Sequence, residues 1–252
     1  MPTVITASVL LLCLAGSVLA GRALNALLSE RHLATGTQDT VKLALGLVAT
    51  MAAVLLGLLV SAAKTSYDEQ KHQVVEMAAR IGVLDRLLGI YGEDAASARV
   101  ELRVMVESAV ARAWPEDGSR SDIGHQAQSG RAEIFLQTIQ RLTPQNSVQT
   151  ELRGQATSIA LDLAQRRALL VANALDGPPT PLVVVVVVWL VVVLFGFSLI
   201  APRGSIALLS LLIAAASVCG AIVLLLELYH PFDGPLRISS APILQALGVQ
   251  DS

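Results

Sequence analysis

Apolar residues gather into four long runs, two near the start of the chain and two beyond residue 180, with a polar stretch between the pairs. The second run, Leu43 to Ala63, reads LALGLVATMAAVLLGLLVSAA and carries no charge over 21 residues. At 1.5 Å per residue, a helix of that length covers the roughly 30 Å hydrocarbon core of a bilayer. Met1 to Gly21 also lacks any Lys, Arg, Asp or Glu and is long enough to span. A secretory leader is its competing reading, because SVLAG offers small residues for cleavage. The absence of basic residues near the start, and an apolar run longer than 7–15 residues, favour a retained helix. The third run, PLVVVVVVWLVVVLFGFSLIAP, is valine-rich enough to favour a strand by propensity. Its uncharged length from Gly177 to Pro202 decides for a helix, since a membrane strand takes about 10 residues and needs a closed barrel of partners. The fourth run begins at Ser205. Spans are therefore predicted over about 3–24, 41–63, 182–200 and 205–228.

Between the second and third spans the pattern becomes that of amphipathic helices. Val74, Met77, Ile81, Leu84 and Leu88 advance by 3, 4, 3 and 4, a heptad-like seam that requires a helical partner. Thr65 or Ser66 either caps a new helix there or interrupts one long helix. Gly89 and Gly92 break the pattern, and DAASARVELRVMVESAVARAW predicts a second helix, stopped by Pro115 and the turn-rich EDGSRSDIG. Ile134, Phe135, Ile139 and Leu142 give a third. Thr143 and Pro144 have the form of an N-cap and first helical residue opening a fourth. Leu152, Ala156, Ile159, Leu163, Leu170 and Ala174 share one face of that helix, with Arg166 and Arg167 on the flank, and Asp176 to Pro179 ends it. The fold class is an all-α integral membrane protein, with four transmembrane helices and a helical water-facing domain, 64–180, inserted between the second and third; 230–252 forms a C-terminal tail.

Composition agrees: hydrophobic residues make up 54% and charged residues 15% of the chain, against about 25% charged in soluble domains. Of 18 basic and 20 acidic residues, 13 and 15 lie between Lys64 and Thr180, which marks that segment as solvated. A net charge of −2 and an aromatic content of 4% supply neither the basic surface nor the stacking platform of a nucleic-acid partner. Four spans place the insert and both termini on one side. Lys64, Lys71, Arg80, Arg166, Arg167 and Arg237 flank the spans there, against Arg22, Arg31, Lys42 and Arg203 opposite. That bias favours a cytoplasmic insert and termini, in a bacterial inner membrane.

No enzyme is indicated: phosphate-binding, dinucleotide-binding and nucleophile-elbow motifs are absent. His32, His72, His125 and His230 are scattered without metal-ligand spacing, and no cofactor is expected. Cys13 and Cys219 lie in apolar runs, where packed or lipid-facing thiols are expected. Two features remain as candidates. Small residues recur at Ala49, Ala53, Gly57 and Ser61, a face suited either to ordinary close helix packing or to the wall of a pore. Glu227 is a carboxylate attached to an apolar run, beside Tyr229 and His230, so it reads as an interfacial anchor or a pore-mouth group. Pro231, Phe232, Asp233, Gly234 and Pro235 then force a turn that sends the tail back under the membrane or against the insert.

Three separated stretches, GLVATMAAVLLGLLVSAAKTSYDEQ at 46–70, LDRLLGIYGEDAASARVELR at 84–103 and LLELYHPFDGPLRIS at 225–239, together resemble the bestrophin-like membrane proteins of bacteria and plants. That family is related at the level of plan to bestrophins, pentameric anion channels whose second helices surround the pore. The resemblance implies a homo-oligomer, a pentamer by analogy, conducting an anion such as chloride along an axis lined by Ala49, Thr50, Ala53, Gly57 and Ser61, with a hydrophobic constriction at Leu56. No acidic cluster accompanies the fourth span, so no calcium site is carried over. The alternative is a non-conducting membrane scaffold whose Val74–Leu88 seam binds a partner protein. A transporter is disfavoured, because the halves show no inverted repeat and no helix broken at mid-membrane.

Overall fold

The apolar and amphipathic periods of the sequence all resolve into helices in the structure, a computed structural model that describes residues 2–27, 35–115, 127–175, 178–202, 204–232 and 236–248. In chain order the helices are α1 (Pro2–Leu27), α2 (Thr35–Tyr91), α3 (Ala96–Ala113), α4 (Ala127–Gln140), α5 (Ser147–Leu175), α6 (Thr180–Ile200), α7 (Ser205–Leu228) and α8 (Ala241–Ala246). Four of them, α1, α2, α6 and α7, are long and apolar enough to cross a membrane. No strand occurs among the described residues, the valine-rich α6 included.

The chain divides into two compact units. The first comprises Met1–Ser66 and Gly177–Tyr229, the second Tyr67–Asp176 and His230–Ser252. The helix α2 is continuous over 57 residues and contributes to both. The predicted second span and the heptad helix are thus one element. Thr65 caps nothing: its hydroxyl donates back to the carbonyl of Ser61 at 3.0 Å, leaving the helical ladder unbroken.

In the first unit α1 packs on both α6 and α7. The contact is made by small and polar residues. A Cβ at Gly21 would stand 2.5 Å from the carbonyl oxygen of Phe195, so only glycine lets the two backbones meet. The hydroxyl of Ser198, buried in α6, donates to the carbonyl of Val18 at 2.6 Å. Near the ends of these helices Asn25 Nδ2 donates to the carbonyl of Ala201 at 2.9 Å. Leu14, Val18, Leu194, Ala215 and Cys219 form the apolar core. The α2 helix docks through Leu45, whose methyls occupy the notch left by Gly196.

The second unit has its own core, where Val74, Ile81, Leu84 and Leu88 of α2 meet Leu102, Phe135, Ile139 and Ala156. The heptad seam is therefore filled by the chain's own helices. The seam on which the scaffold reading relied is thus largely covered within the second unit. Tyr91 ends α2, and Gly92, at φ 114°, takes a conformation that favours glycine; Gly89 remains helical. The expected cap at Thr143 and Pro144 is also displaced. The helix α5 starts at Ser147, with the Asn146 side chain accepting from Gln149 N at 2.8 Å. The tail returns against this unit: Phe232, Ile238, Ile243 and Leu247 are buried in its core.

Candidate functional site

At about 100° per residue, the membrane part of α2 separates into three arcs. Leu45, Ala52, Leu59 and Ala63 make the buried arc, spaced 7, 7 and 4. Leu43, Leu47, Met51, Val54 and Leu58 form an arc of large exposed apolar groups opposite. Between them lie the sequence-predicted residues. Thr50, Ala53, Gly57 and Ser61 are exposed, and Ala49 and Leu56 are half-buried at the edge next to the packed arc. A Cβ at Gly57 would meet nothing within 4 Å. The hydroxyl of Thr50 turns back onto the carbonyl of Gly46 at 2.8 Å. The arc therefore presents methyls, a bare backbone, the Ser61 hydroxyl and a Thr50 hydroxyl satisfied by its own helix, and it is left largely open by the unit to which it belongs.

The second group spans the division between the two units, with Glu227 and Tyr229 in the first and His230 in the second. Glu227 is buried in the last turn of α7, 7% exposed, and Tyr229 is half-buried, its backbone N–H donating to the carbonyl of Leu226 at 3.2 Å. His230 is exposed and begins the tail segment of the second unit. Pro231 and Phe232 are buried there; Asp233, Gly234 and Pro235 lie outside the described residues. Phe232 meets Trp114 edge-on, with ring centroids 5.4 Å apart. The Trp114 indole donates to the carbonyl of Ile238 at 2.6 Å, and Ile238 N donates to the carbonyl of Pro231 at 2.7 Å. Trp114 is thus the clamp for the tail, a role that sequence reading missed. The signal was one aromatic ending a helix before a proline, which a turn explains equally well.

Ion pairs in the second unit tie helices to one another. The Arg166 guanidinium bridges Glu76 of α2 and Asp162 of its own helix, and Arg80 reaches Asp162 at 3.1 Å. Asp85 receives two hydrogen bonds from Arg99, at 3.0 and 2.7 Å. These contacts join charges of opposite sign, and His72 lies 3.7 Å from Glu76 on the same helix. Among the described residues no three His, Cys, Asp or Glu side chains converge as metal ligands.

The family model described as "Bestrophin-like domain" matches residues 12–243. A search of curated proteins finds no match. Among solved structures, the chain is similar to a bacterial bestrophin homologue from Klebsiella pneumoniae carrying a tryptophan-to-alanine substitution. The TM-score is 0.66 and the identity 14%, over 98% of this chain and 99% of that one. At that identity the likeness establishes a shared fold. With the family model covering nearly all of the sequence, this helical, membrane-integral chain belongs to the bestrophin-like family.

Proposed function

We propose that this chain is one subunit of a homo-oligomeric anion channel, with copies of α2 arranged around a central pore, five of them by analogy with bestrophins. The observation that carries the reading is the three-arc division of α2. One arc packs inside the subunit, a large apolar arc suits lipid or a neighbouring subunit, and the small arc at Ala49, Thr50, Ala53, Gly57 and Ser61 has no occupant. Placed on the axis, that arc leaves room for a partly hydrated anion such as chloride, with helix backbone and hydroxyl dipoles as its polar contacts. Leu56, at the edge of the arc, supplies the apolar constriction. Glu227, close to the end of α7, stands as an interfacial or pore-mouth group. The insert and both termini lie in the cytoplasm of a bacterial cell, as the distribution of Lys and Arg favours. The charge-joining pairs of the second unit fit a structural role, in keeping with a channel rather than an enzyme.

The test is halide efflux from liposomes carrying the purified protein, with Gly57→Leu reconstituted at matched density. Because nothing lies within 4 Å of a Cβ at Gly57, the variant is expected to assemble normally and lose at least tenfold of the flux. Flux unchanged in a normally assembled variant would remove α2 from the pore; absence of flux from the unsubstituted protein, whatever the salt or pH, would remove conduction itself.

A further inference from the structure

The second unit contains a cleft of about 550 Å³ with an apolar floor and Arg167 in its wall, and the channel reading makes no use of it. Its floor is Val74, Ile81, Leu102 and Phe135, all buried in the core. The space exists because α3 and α5 present alanines toward it, Ala109 and Ala113 from one and Ala160 and Ala164 from the other, where larger side chains would close the gap. Met77 and Met105, flexible and polarizable, line it as well. Volume, apolar lining and few polar groups are those of a small-molecule site, for which about 300–1,000 Å³ is usual.

The polar groups decide what such a molecule must carry. Arg167 lies on the repeating face of α5 with Ala160, Leu163, Ala164 and Val171, at a place where the helical period calls for an apolar side chain. Its neighbour Arg166 is paired with Asp162 and Glu76, whereas Arg167 makes no ion pair or hydrogen bond among the described residues. Burial, and then the like charge of Arg112, lowers the pKa of Arg167, yet a guanidinium stays charged at any physiological pH. Glu133, itself exposed, is the one carboxylate lining the cleft among the described residues. Arg167 and Glu133 are the charged side chains among the described residues that line the cleft. A half-buried cation without a counter-ion is a costly arrangement that an anionic ligand relieves.

We propose that this cleft binds a free long-chain carboxylate, its single alkyl chain along the apolar floor and its head group on the Arg167 guanidinium. One chain of roughly a dozen carbons suits the volume, whereas two chains and a glycerol backbone exceed it. The site is separate from the α2 arc and does not depend on conduction.

Trp114 lines the cleft and supplies the readout. The chain has two tryptophans, so full-length Trp189→Phe protein in lipid nanodiscs leaves Trp114 as the sole indole. Titration with 11-bromoundecanoate, whose bromine quenches indole on contact, should give saturable quenching. The matched 11-bromoundecan-1-ol should bind at least tenfold more weakly. Arg167→Gln should weaken the carboxylate at least tenfold and leave the alcohol unchanged, with Arg167→Lys recovering most of the loss. Ala109→Phe should abolish saturation for both probes. Quenching that rises linearly with probe dissolved in the bilayer, or equal affinity for carboxylate and alcohol, would overturn the proposal. The second comparison needs no substitution at Arg167 and so holds even if that variant fails to fold.

Discussion

Asp85 is read differently in sequence and in structure. In the sequence it is one of 15 acidic residues on the polar stretch from Lys64 to Thr180; in the folded chain it is 14% exposed and accepts two hydrogen bonds from Arg99, with Arg103 at 3.8 Å. The hydrogen bond from Arg99 is the main reason its pKa is lowered; burial opposes it, and the charges of Arg99 and Arg103 add to it. The unfolded carboxyl, near the ordinary value of about 3.9, binds protons more readily than the folded one. The pair therefore stabilises the fold above about pH 4 and loses that contribution as pH falls through the lowered folded value. Allowing for the exposure of Arg99, Asp85→Asn is expected to cost about 1 kcal/mol at pH 7. That corresponds to a Tm lower by roughly 2–4 °C in a protein of this size. Thermal melts of the two proteins between pH 7 and pH 3 should converge below pH 4; a constant offset across that range would contradict the assignment.

At the scale of elements, the helix contact that most needs a glycine differs from the one the small-residue spacing emphasised. The fourfold repeat along α2 is the clearer pattern in the sequence, yet Gly57 has nothing beside it, whereas a Cβ at Gly21 would strike the backbone of Phe195 in α6. Gly16, on the same helix as Gly21, is open. Gly21→Ala should therefore lower the stability of the detergent-solubilised protein by about 1–3 kcal/mol, because backbone, unlike a flexible side chain, cannot step aside. Gly16→Ala should be neutral or mildly stabilising through helix propensity. Heating each variant and following the folded fraction by gel filtration checks both; equal behaviour would show that α1 and α6 do not approach at Gly21. Spacing of small residues identifies helices capable of close approach, but which partner approaches depends on shape across different helices.

For the whole molecule, the bias of six basic residues to four predicts that the 64–180 segment faces the cytoplasm. Ser97, exposed near the start of α3, offers a reporter. With Cys13 and Cys219 replaced by alanine, Ser97→Cys is expected to resist a membrane-impermeant maleimide in intact cells and to react after lysis. Labelling in intact cells would reverse the orientation, and with it the side from which the Arg167 cleft is reached.

The helical class, the four apolar segments and the amphipathic nature of the insert were legible in the sequence, because length without charge and periods near 3.6 are properties of one segment at a time. The resemblance carried by 46–70, 84–103 and 225–239 also pointed to the family. Residue type and spacing singled out the small arc of α2, but only the packing of Leu45 at Gly196 told its open side from its buried side. Tertiary structure likewise decided that α2 runs unbroken past Thr65, that Asn146 caps α5, that the heptad seam is consumed internally and that Trp114 holds the tail. Arg167 shows the reason most directly. Sequence placed it on a helix flank beside Arg166, and the two look alike; one lies within reach of Glu76 and Asp162 while the other meets an apolar cleft. Such differences arise from residues far apart in the chain converging on the same place, which local periodicity does not record.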